Sequence, residues 1–446
     1  MIRVVVRSKK DRDAVAAALR TFYTGWDIEL TTLGGLRDPG EAFERIRSLE
    51  SDGLTIVLLG RENEDFLAYE REAPPNVVYH LLKYKKVRNA RTIAIARAIE
   101  HAKAKFRLDA SWERGRGTYL FDHRLERLVD ETEPAYDFFI IFGQGIDFLN
   151  SLGLHVRQPL LLRKMGGVHA VYDCGVYSAA LIFRDSGRPE VSVSAAWEPK
   201  EVCGEKSLND IAAANAKRIR LLERFSTVFL EKISENRGVK RVVVPLSGGK
   251  DSAVALYLAR KLWGDAVEAV YVDTGVDFPE NAESIEMLAE KIGVSVERVR
   301  APVRESIGRF GLPTHENRWC TGLKIEALRR FLKKIGAGKD TLVIVGDRDV
   351  ESRSRARRPP LRYEEERLVA APLKLWGSHH IELFLALHGL PVNPLYELGF
   401  YRTGCYICPS LRSWELYVME KAGILDRLKE RDNEIVELFL KEKNWI

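Results

Sequence analysis

A run of small and charged residues, SGGKDS, joins an apolar strand at residues 242–244 to a helix. Two consecutive glycines can adopt positive φ and carry no Cβ, so backbone N–H groups can turn toward an anion at the helix N-terminus. Serine hydroxyls add donors and the lysine adds positive charge. The spacing is not that of a Walker A loop, and the alternative is a glycine-rich turn without a ligand. The predicted anion-binding residues are Ser247, Gly248, Gly249, Lys250, Asp251 and Ser252.

A second candidate group follows the next predicted strand, in the segment VYVDTGVDFPEN. Parallel α/β sheets bind ligands at the carboxyl ends of their strands, and this segment places Asp273, Thr274 and Gly275 at such an end. The Asp273 carboxylate could hold a magnesium ion or orient a bound nucleotide. The alternative is an aspartate that only shapes the turn after the strand.

Five cysteines in 446 residues are too few, and odd in number, for a disulfide framework, which favours metal or redox chemistry. Cys405 and Cys408 form a Cys-x-x-Cys turn in TGCYICP, and Cys320 lies in NRWC. These three are the candidate metal ligands. We expect Cys174 and Cys203 to be buried or incidental thiols.

The pattern of strands and helices predicts three units along the chain. Residues 1–75 show a β-α-β-α-β pattern, which indicates a small α/β domain that ends where Pro74 and Pro75 break the chain. Residues 76–205 combine a basic helix with a β-rich module that could hold substrate or RNA. In residues 206–446, strands alternate with helices, which predicts an α/β fold with a doubly wound parallel sheet.

The composition indicates a globular protein and excludes a membrane-spanning one. Apolar residues make up 46% and charged residues 30%, which is typical of a globular chain, and no apolar stretch approaches the ~20 residues of a membrane span. The N-terminus lacks a signal-peptide pattern, so we expect a cytoplasmic protein without a membrane partner. The formal charge of +6 permits a polyanionic partner. The basic stretch at residues 83–107, with Tyr84 and Phe106, could follow a nucleic-acid backbone or could be a solvated helix face.

The phosphate loop resembles the PP-loop of the adenine-nucleotide α-hydrolase-like superfamily. Downstream, the segments DTGVDFPEN, GLPTHENRWCTGLKIEAL, VGDRDVESRSR, APLKLW and LPVNPLYELGFYRTGCYICP are similar, in this order, to phosphoadenosine phosphosulfate (PAPS) reductases. The resemblance implies ATP or an adenylyl sulfate as ligand, with Mg²⁺, and catalytic roles for Lys250, Asp273 and Arg348. The further nucleotide contacts that it implies are Arg318, Lys324, Gly346, Arg348, Glu351, Ser352 and Arg355.

The resemblance also bears on the cysteines. Iron–sulfur members carry a Cys-Cys pair where this chain has Trp319-Cys320, and a Cys-x-x-Cys that this chain keeps. Three cysteines can hold a [4Fe–4S] cluster with one open iron site, as in similar PP-loop enzymes that thiolate tRNA. Zinc, a dithiol redox pair and inert cysteines are the alternatives. For zinc, the candidate fourth ligands are His315, His379 and His380.

The reductase reaction needs a thiolate that attacks sulfur, and in that family this cysteine lies near the C-terminus. This chain has no cysteine after Cys408. The leading hypothesis is therefore a PP-loop transferase that adenylates an RNA or small acceptor with ATP and transfers sulfur to it, with tRNA as a candidate partner. The alternatives are a PAPS or adenosine phosphosulfate reductase that uses thioredoxin, and a non-catalytic nucleotide-binding module.

Overall fold

Three sheets follow one another along the chain in this computed structural model, which describes residues 2–49, 51–122, 124–194, 203–365 and 367–446. The α/β class, with a doubly wound sheet preceded by a small α/β unit and a β-rich module, is confirmed. Among the helices of the described residues, none combines the length and apolar character needed to cross a bilayer.

The first sheet is parallel, with four strands in the order β2-β1-β3-β4. Its fourth strand lies beyond residue 75, where the sequence suggested that the unit ends. Pro74 is instead part of the turn before that strand, because its carbonyl accepts a hydrogen bond from the Val77 N–H (2.9 Å). The elements are β1 (Ile2–Val6), α1 (Lys9–Phe22), β2 (Ile28–Thr32), α2 (Pro39–Arg47), β3 (Leu54–Gly60), β4 (Val77–Leu82) and α3 (Thr92–Arg107).

The second sheet is an antiparallel meander in the order β11-β10-β9-β8-β7, and a two-stranded hairpin, β5-β6, precedes it. This sheet is the β-rich module that the sequence predicts. Its elements are β5 (Ser111–Glu113), β6 (Thr118–Leu120), β7 (Asp137–Ile140), α4 (Gln144–Asn150), β8 (Pro159–Arg163), β9 (Val168–Asp173), β10 (Val176–Ile182) and β11 (Glu190–Val193).

The third sheet contains the predicted phosphate loop and has the order β14-β13-β12-β15-β17-β16. All neighbours are parallel except β16, which runs antiparallel to β17. The strand order reverses between β12 and β15, and a crevice for ligands opens at such a point. The strands are β12 (Arg241–Leu246), β13 (Val267–Asp273), β14 (Val296–Arg300), β15 (Thr341–Ile344), β16 (Leu361–Glu364) and β17 (Arg367–Ala370).

Helices cover both faces of this sheet. Val242 and Val244 of β12 pack in the core on one face, whereas Val243 points to the other face and packs with Phe331 and Leu332. A parallel strand buried on both faces explains the unbroken apolar run in the sequence. The helices are α5 (Leu208–Ala214), α6 (Ala216–Arg237), α7 (Lys250–Trp263), α8 (Pro279–Ile292), α9 (Val303–Phe310), α10 (Trp319–Lys334), α11 (Arg353–Arg357), α12 (Ser378–Leu387), α13 (Pro394–Glu397), α14 (Ser413–Lys421) and α15 (Ile424–Glu442).

A disulfide joins Cys174 to Cys203, with the Cα atoms 6.1 Å apart. The expectation of two unpaired thiols was therefore wrong. Cys174 lies in the turn between β9 and β10, with φ of 50°, and Cys203 lies in the segment before α5. Folding brings this turn and this segment together, which the spacing along the chain does not reveal.

We expect the double variant Cys174→Ser/Cys203→Ser to lose stability, because the bond closes a loop across a sequence separation of 29 residues and so restricts the unfolded chain. The chain-entropy relation gives a loss of about 3–4 kcal/mol in the free energy of unfolding. Denaturant unfolding with and without dithiothreitol measures it. The reductant should destabilise the wild type and leave the double variant unchanged; equal unfolding midpoints in all samples would contradict the bond.

Candidate functional site

The loop between β12 and α7 has the geometry of an anion site. Gly248 has φ of +72°, and a Cβ there would lie 2.6 Å from the Asn281 Cβ, so only glycine fits. Gly249 is the N-cap of α7 and offers no side chain to the first turn. The Ser252 hydroxyl donates to the Gly249 carbonyl (2.9 Å), which holds the loop against the helix. The α7 N-terminus, with its partial positive charge, therefore opens toward the cleft beside the loop.

This cleft has a volume of about 380 Å³ and lies where the strand order reverses. It brings together most of the residues predicted from the sequence. Those that line it are Ser247, Gly249, Asp251, Ser252, Arg318, Cys320, Lys324, Gly346, Arg348, Glu351, Arg355, Cys405 and Cys408. Those that do not line it are Gly248, Lys250, Asp273, Thr274, Gly275 and Ser352.

Lys250 turns away from the cleft. Its ammonium is buried and donates to the Glu382 carboxylate (2.6 Å) and to the Tyr401 carbonyl (3.4 Å). Burial alone would lower the pKa of Lys250, but Glu382 outweighs it and the pKa is raised. The ammonium therefore stays charged and paired beneath the loop, and direct contact of Lys250 with a phosphate stays a prediction.

Arg348 lies between two carboxylates. Its Nε donates to Asp251 (2.5 Å) and its Nη1 donates to Asp137 (3.0 Å). Burial opposes the charge on Arg348, but the two carboxylates raise its pKa above the ordinary value. Gly346 makes this approach sterically feasible, because a Cβ at that position would lie 2.8 Å from the Asp251 carbonyl carbon.

The predicted nucleotide contacts after β15 form a basic wall of the cleft that contains its own acids. Asp347 lies within ion-pair distance of Arg355 (3.3 Å), Arg362 (3.3 Å) and Arg358 (3.9 Å). Arg355 also pairs with Glu351. Ser352 has a local role, since its hydroxyl accepts the Arg355 N–H and caps α11. Much of the positive charge on this side is therefore neutralised within the protein.

Asp273 lies at the carboxyl end of β13, as predicted, but not on the cleft. Its carboxylate accepts from Arg298 (2.9 Å) and Arg300 (3.2 Å) and from the Gly275 N–H (2.8 Å). These contacts outweigh burial, which would raise the pKa of Asp273, and lower that pKa. Since two arginines already hold this carboxylate, its roles in magnesium binding and catalysis stay predictions.

The three cysteines that are not in the disulfide share one end of the cleft. The Cys405 thiol is buried against the Lys324 ammonium (3.1 Å), the Thr274 hydroxyl (3.4 Å) and the Asp277 carboxylate (3.4 Å). Burial raises the pKa of Cys405 to about 12. Cys408 differs: burial would raise its pKa, but Arg402 leads a group of positive and hydrogen-bonding neighbours that lowers it. The two thiols of one Cys-x-x-Cys turn are thus chemically distinct.

The residues around the three cysteines decide whether a cluster or zinc site fits here. Thiolates suit iron and zinc, yet in the part of the chain that the structure describes, no three ligand side chains converge as a metal site requires. The Lys324 ammonium also occupies the side of the Cys405 sulfur. His379 and His380 are buried beside Phe121, and neither lines the cleft. The side chains as placed do not fit a [4Fe–4S] cluster or zinc.

Several cleft residues escaped the sequence analysis. Arg402 lies on the cleft three positions before Cys405, and the RTGC segment could have drawn attention to it. Within the described residues, no carboxylate lies within ion-pair distance of Arg402, Arg318 or Lys324, whose charges are available to a ligand. The antiparallel sheet contributes Phe139 and Arg163, which carry no local sequence signal.

The predicted basic face is partly internal. Lys103 and Arg107 are buried, and Lys105 pairs with Glu70 (2.6 Å). Lys103 also binds Asp349 (2.5 Å) in the interior. The stretch is therefore not one continuous solvated surface. Its exposed residues include Arg91, Arg97 and the loop after β4, where Tyr84 is 85% exposed between two exposed lysines.

Known proteins are similar to the part of the chain that forms the third sheet. Residues 241–411 match the phosphoadenosine phosphosulfate reductase domain. This part of the chain, with its phosphate loop, is thus similar to PP-loop, PAPS reductase-like proteins. It contains most of the cleft, whose other wall comes from the preceding antiparallel sheet.

Two uncharacterized proteins of Methanocaldococcus jannaschii are similar to this chain. One is 33% identical over 217 residues, 48% of this chain and 45% of the relative. The other is 32% identical over 234 residues, 49% and 55% of the two chains. The chain thus spans about half the length of these relatives. A phosphoadenosine 5'-phosphosulfate reductase of Xanthomonas campestris is 26% identical over 221 residues, 47% of this chain and 86% of that protein.

Two solved structures match part of this chain, both with low TM-scores. The PAPS reductase from Candida auris, in a phosphate complex, has a TM-score of 0.34 and 16% identity, and the match covers 43% of this chain and 96% of that one. The U34-tRNA thiolase from Methanococcus maripaludis, with its [4Fe–4S] cluster, has a TM-score of 0.34 and 15% identity, and the match covers 56% and 88% of the two chains.

Gly248→Ala should abolish ATP binding, because the new Cβ would collide with Asn281 and the positive φ disfavours any L side chain. Gly238→Ala is the matched control: Gly238 also has positive φ (+59°), but it ends α6 and no heavy atom lies within 4 Å of the added Cβ. Both variants should lose about 1 kcal/mol of stability or more. Isothermal titration with ATP should separate them, and equal ATP affinities would contradict the proposed loop geometry.

Cys408 should react with iodoacetamide faster than Cys405 at pH 7, because its lowered pKa provides more thiolate while burial keeps Cys405 protonated. Peptide mass spectrometry after timed alkylation measures both sites in one sample. Arg402→Ala should raise the pKa of Cys408 and shift its alkylation to higher pH, without a matching shift at Cys405. Faster labelling of Cys405 would refute the assigned electrostatics.

Proposed function

We propose that the protein is a PP-loop transferase that binds ATP in the cleft and adenylates an acceptor before sulfur transfer. An acceptor oxygen attacks the α-phosphorus, the bond from that phosphorus to the bridging oxygen breaks, and pyrophosphate leaves. The sulfur comes from a persulfide donor, whose outer sulfur passes to Cys408 while the donor leaves as a thiol. The terminal sulfur of the Cys408 persulfide attacks the adenylated carbon, and AMP leaves with the acceptor oxygen. The Cys405 thiol then attacks the Cys408 sulfur, which frees the thiolated acceptor and leaves a disulfide that a thiol reductant reduces. One observation carries the proposal: the open α7 N-terminus, three cations without acid partners among the described residues, and three cysteines face a single cleft.

The charges in the cleft suit a leaving pyrophosphate. The loop N–H groups offer hydrogen bonds at the helix end, while Arg318 and Lys324 lie across the cleft with Arg402. Positive groups that are already in place stabilise charge on the phosphates without reorganisation of the site. Asp251 and Asp347 line the cleft, so Mg²⁺ that enters with ATP would compete there with the arginines that already pair with these two carboxylates.

Cys408 is the thiol best suited to the sulfur step. It lines the cleft, and its lowered pKa gives it more thiolate than an ordinary cysteine has at the same pH. Burial keeps Cys405 protonated, although it lies beside Lys324, and this cysteine suits a supporting role. Because the side chains do not converge on a metal, the proposed reaction includes no step on an iron–sulfur cluster.

The proposed acceptor is an RNA base, with tRNA as the candidate partner and a small molecule as the alternative. The exposed loop Lys83, Tyr84 and Lys85 combines two cations with an aromatic ring, which suits contact with a nucleic-acid backbone and base. Phe139 adds an aromatic surface within the cleft itself. We propose the cytoplasm as the location, where ATP and tRNA are both present.

Sulfonucleotide reduction is the second candidate. The cation group beside the Cys408 thiol would also suit the sulfate and phosphate of PAPS, and the Xanthomonas relative is named for that reaction. The thiolate would attack the sulfur of PAPS, adenosine 3',5'-bisphosphate would leave, and thioredoxin would reduce the enzyme–sulfite bond to release sulfite. The same cleft would then serve a different sulfur chemistry.

The protein, purified without oxygen, should convert ATP to AMP and pyrophosphate in the presence of bulk tRNA, a persulfide donor and a thiol reductant. Arg402→Ala should weaken ATP binding about tenfold, on the scale of one charge-assisted hydrogen bond. Arg224→Ala is the control, because this arginine pairs with Asp52 on the surface away from the cleft. Product chromatography and mass spectrometry of the tRNA nucleosides are the measurements.

The products decide among the candidates. AMP together with a new sulfur-containing nucleoside supports the transferase. Sulfite released from PAPS with thioredoxin, without any AMP from ATP, would establish the reductase instead. ATP binding without turnover of either nucleotide would leave a nucleotide-binding module and refute both enzymatic proposals.

A further inference from the structure

One strand of the antiparallel sheet is connected to the PP-loop through two charged side chains. Strand β7 begins at Asp137, whose carboxylate accepts from Arg348 Nη1 (3.0 Å). The Nε of the same Arg348 donates to Asp251 (2.5 Å), in the first turn of α7. A single guanidinium therefore links the sheet to the loop residue that would face the nucleotide.

The second connection runs to the neighbouring loop residue. Glu382 of α12 accepts the Lys250 ammonium at one oxygen (2.6 Å) and the Ile140 N–H at the other (3.0 Å). Lys250 and Asp251 are consecutive, and Asp137 and Ile140 are the first and last residues of β7. Both ends of one strand thus hold two successive residues of the loop.

Asp137 is fully buried and its carboxylate is completely engaged. Its two oxygens also accept the Ser378 N–H at the start of α12 (3.1 and 3.2 Å). A buried carboxylate is tolerated only when it is paired, and a planar guanidinium that donates to two carboxylates from two of its nitrogens has a fixed orientation. The side chain of Arg348 is therefore aimed at Asp251 by a residue outside the PP-loop domain.

We propose that Asp137 is a positioning residue for the PP-loop: through Arg348 it sets Asp251 and the first turn of α7 in the arrangement that binds nucleotide. The antiparallel sheet is then part of the nucleotide site, not a separate substrate module. The same sheet presents Phe139 and Arg163 to the cleft. This inference rests on the proposed binding of ATP in that cleft.

Asp137→Asn tests it, because asparagine keeps the size and an acceptor for the Ser378 N–H but removes the charge that aims Arg348. The matched control is Asp173→Asn. Asp173 is also a buried aspartate of this sheet, but it accepts the Arg157 and Gln158 N–H groups (2.9 and 2.8 Å) instead of the Arg348 guanidinium. Titration calorimetry of the full chain with ATP should show about tenfold weaker binding for Asp137→Asn alone.

Amide hydrogen exchange in the nucleotide-free proteins gives a second readout. The amides of residues 250–252 should exchange faster in Asp137→Asn and at the wild-type rate in Asp173→Asn. If Asp137→Asn does not fold, Arg348→Gln cuts the same link while Asp137 keeps the Ser378 N–H, and the same amides are followed.

The outcomes separate the two proposals. Equal losses of ATP affinity in both aspartate variants, or unchanged exchange at residues 250–252, would overturn the role of Asp137 and assign it to general stability. A wild type that binds no ATP would refute the proposed function, whereas the exchange comparison would still report on the positioning link.

Discussion

The site depends on one buried guanidinium. Arg348 connects Asp251 of the α7 N-terminus to Asp137 of the antiparallel sheet; the contact with Asp137 is buried, whereas Asp251 is partly exposed on the cleft. A buried ion pair adds little net stability, but loss of one partner costs about 3–5 kcal/mol because a charge is left without compensation. The arrangement therefore specifies geometry more than it stabilises the fold. The Arg348 contacts require β7, α12 and the loop after β15 to lie in fixed positions relative to one another.

The cleft separates charges that are paired from charges that are free to bind a ligand. The arginines after β15 share Asp347 and Glu351, so their main effect is to hold that wall together. At the cysteine end, Arg318, Lys324 and Arg402 lack acid partners among the described residues, and their field acts on whatever enters. In the Cys-x-x-Cys turn, burial raises the pKa of Cys405, whereas the positive field lowers the pKa of Cys408. Placement of charge, more than its amount, organises this end of the site.

Features that depend on neighbours in the sequence were predictable. The apolar strand, two glycines and following helix are consecutive, and the structure has β12, the loop and α7 at those positions. Side-chain direction was not predictable in the same way. Lys250 turns inward because Glu382, 132 residues further along the chain, takes its charge. Asp273 was correctly placed at a strand end, yet the arginines that occupy it come from the adjacent strand. The disulfide likewise joins segments that only folding brings together.

Both edges of the PP-loop sheet end in short, charged strands. β14 has the sequence VERVR and β16 has LRYE, and Arg362 and Glu364 of β16 pair with each other (2.6 Å). An open strand edge exposes unpaired N–H and C=O groups that can recruit another chain, and charged side chains there oppose such pairing. The apolar central strands, which could otherwise promote β-aggregation, are thus kept between edges that resist strand addition. The fold thus keeps its aggregation-prone strands inside the sheet, while the cleft at the carboxyl ends of the strands stays open.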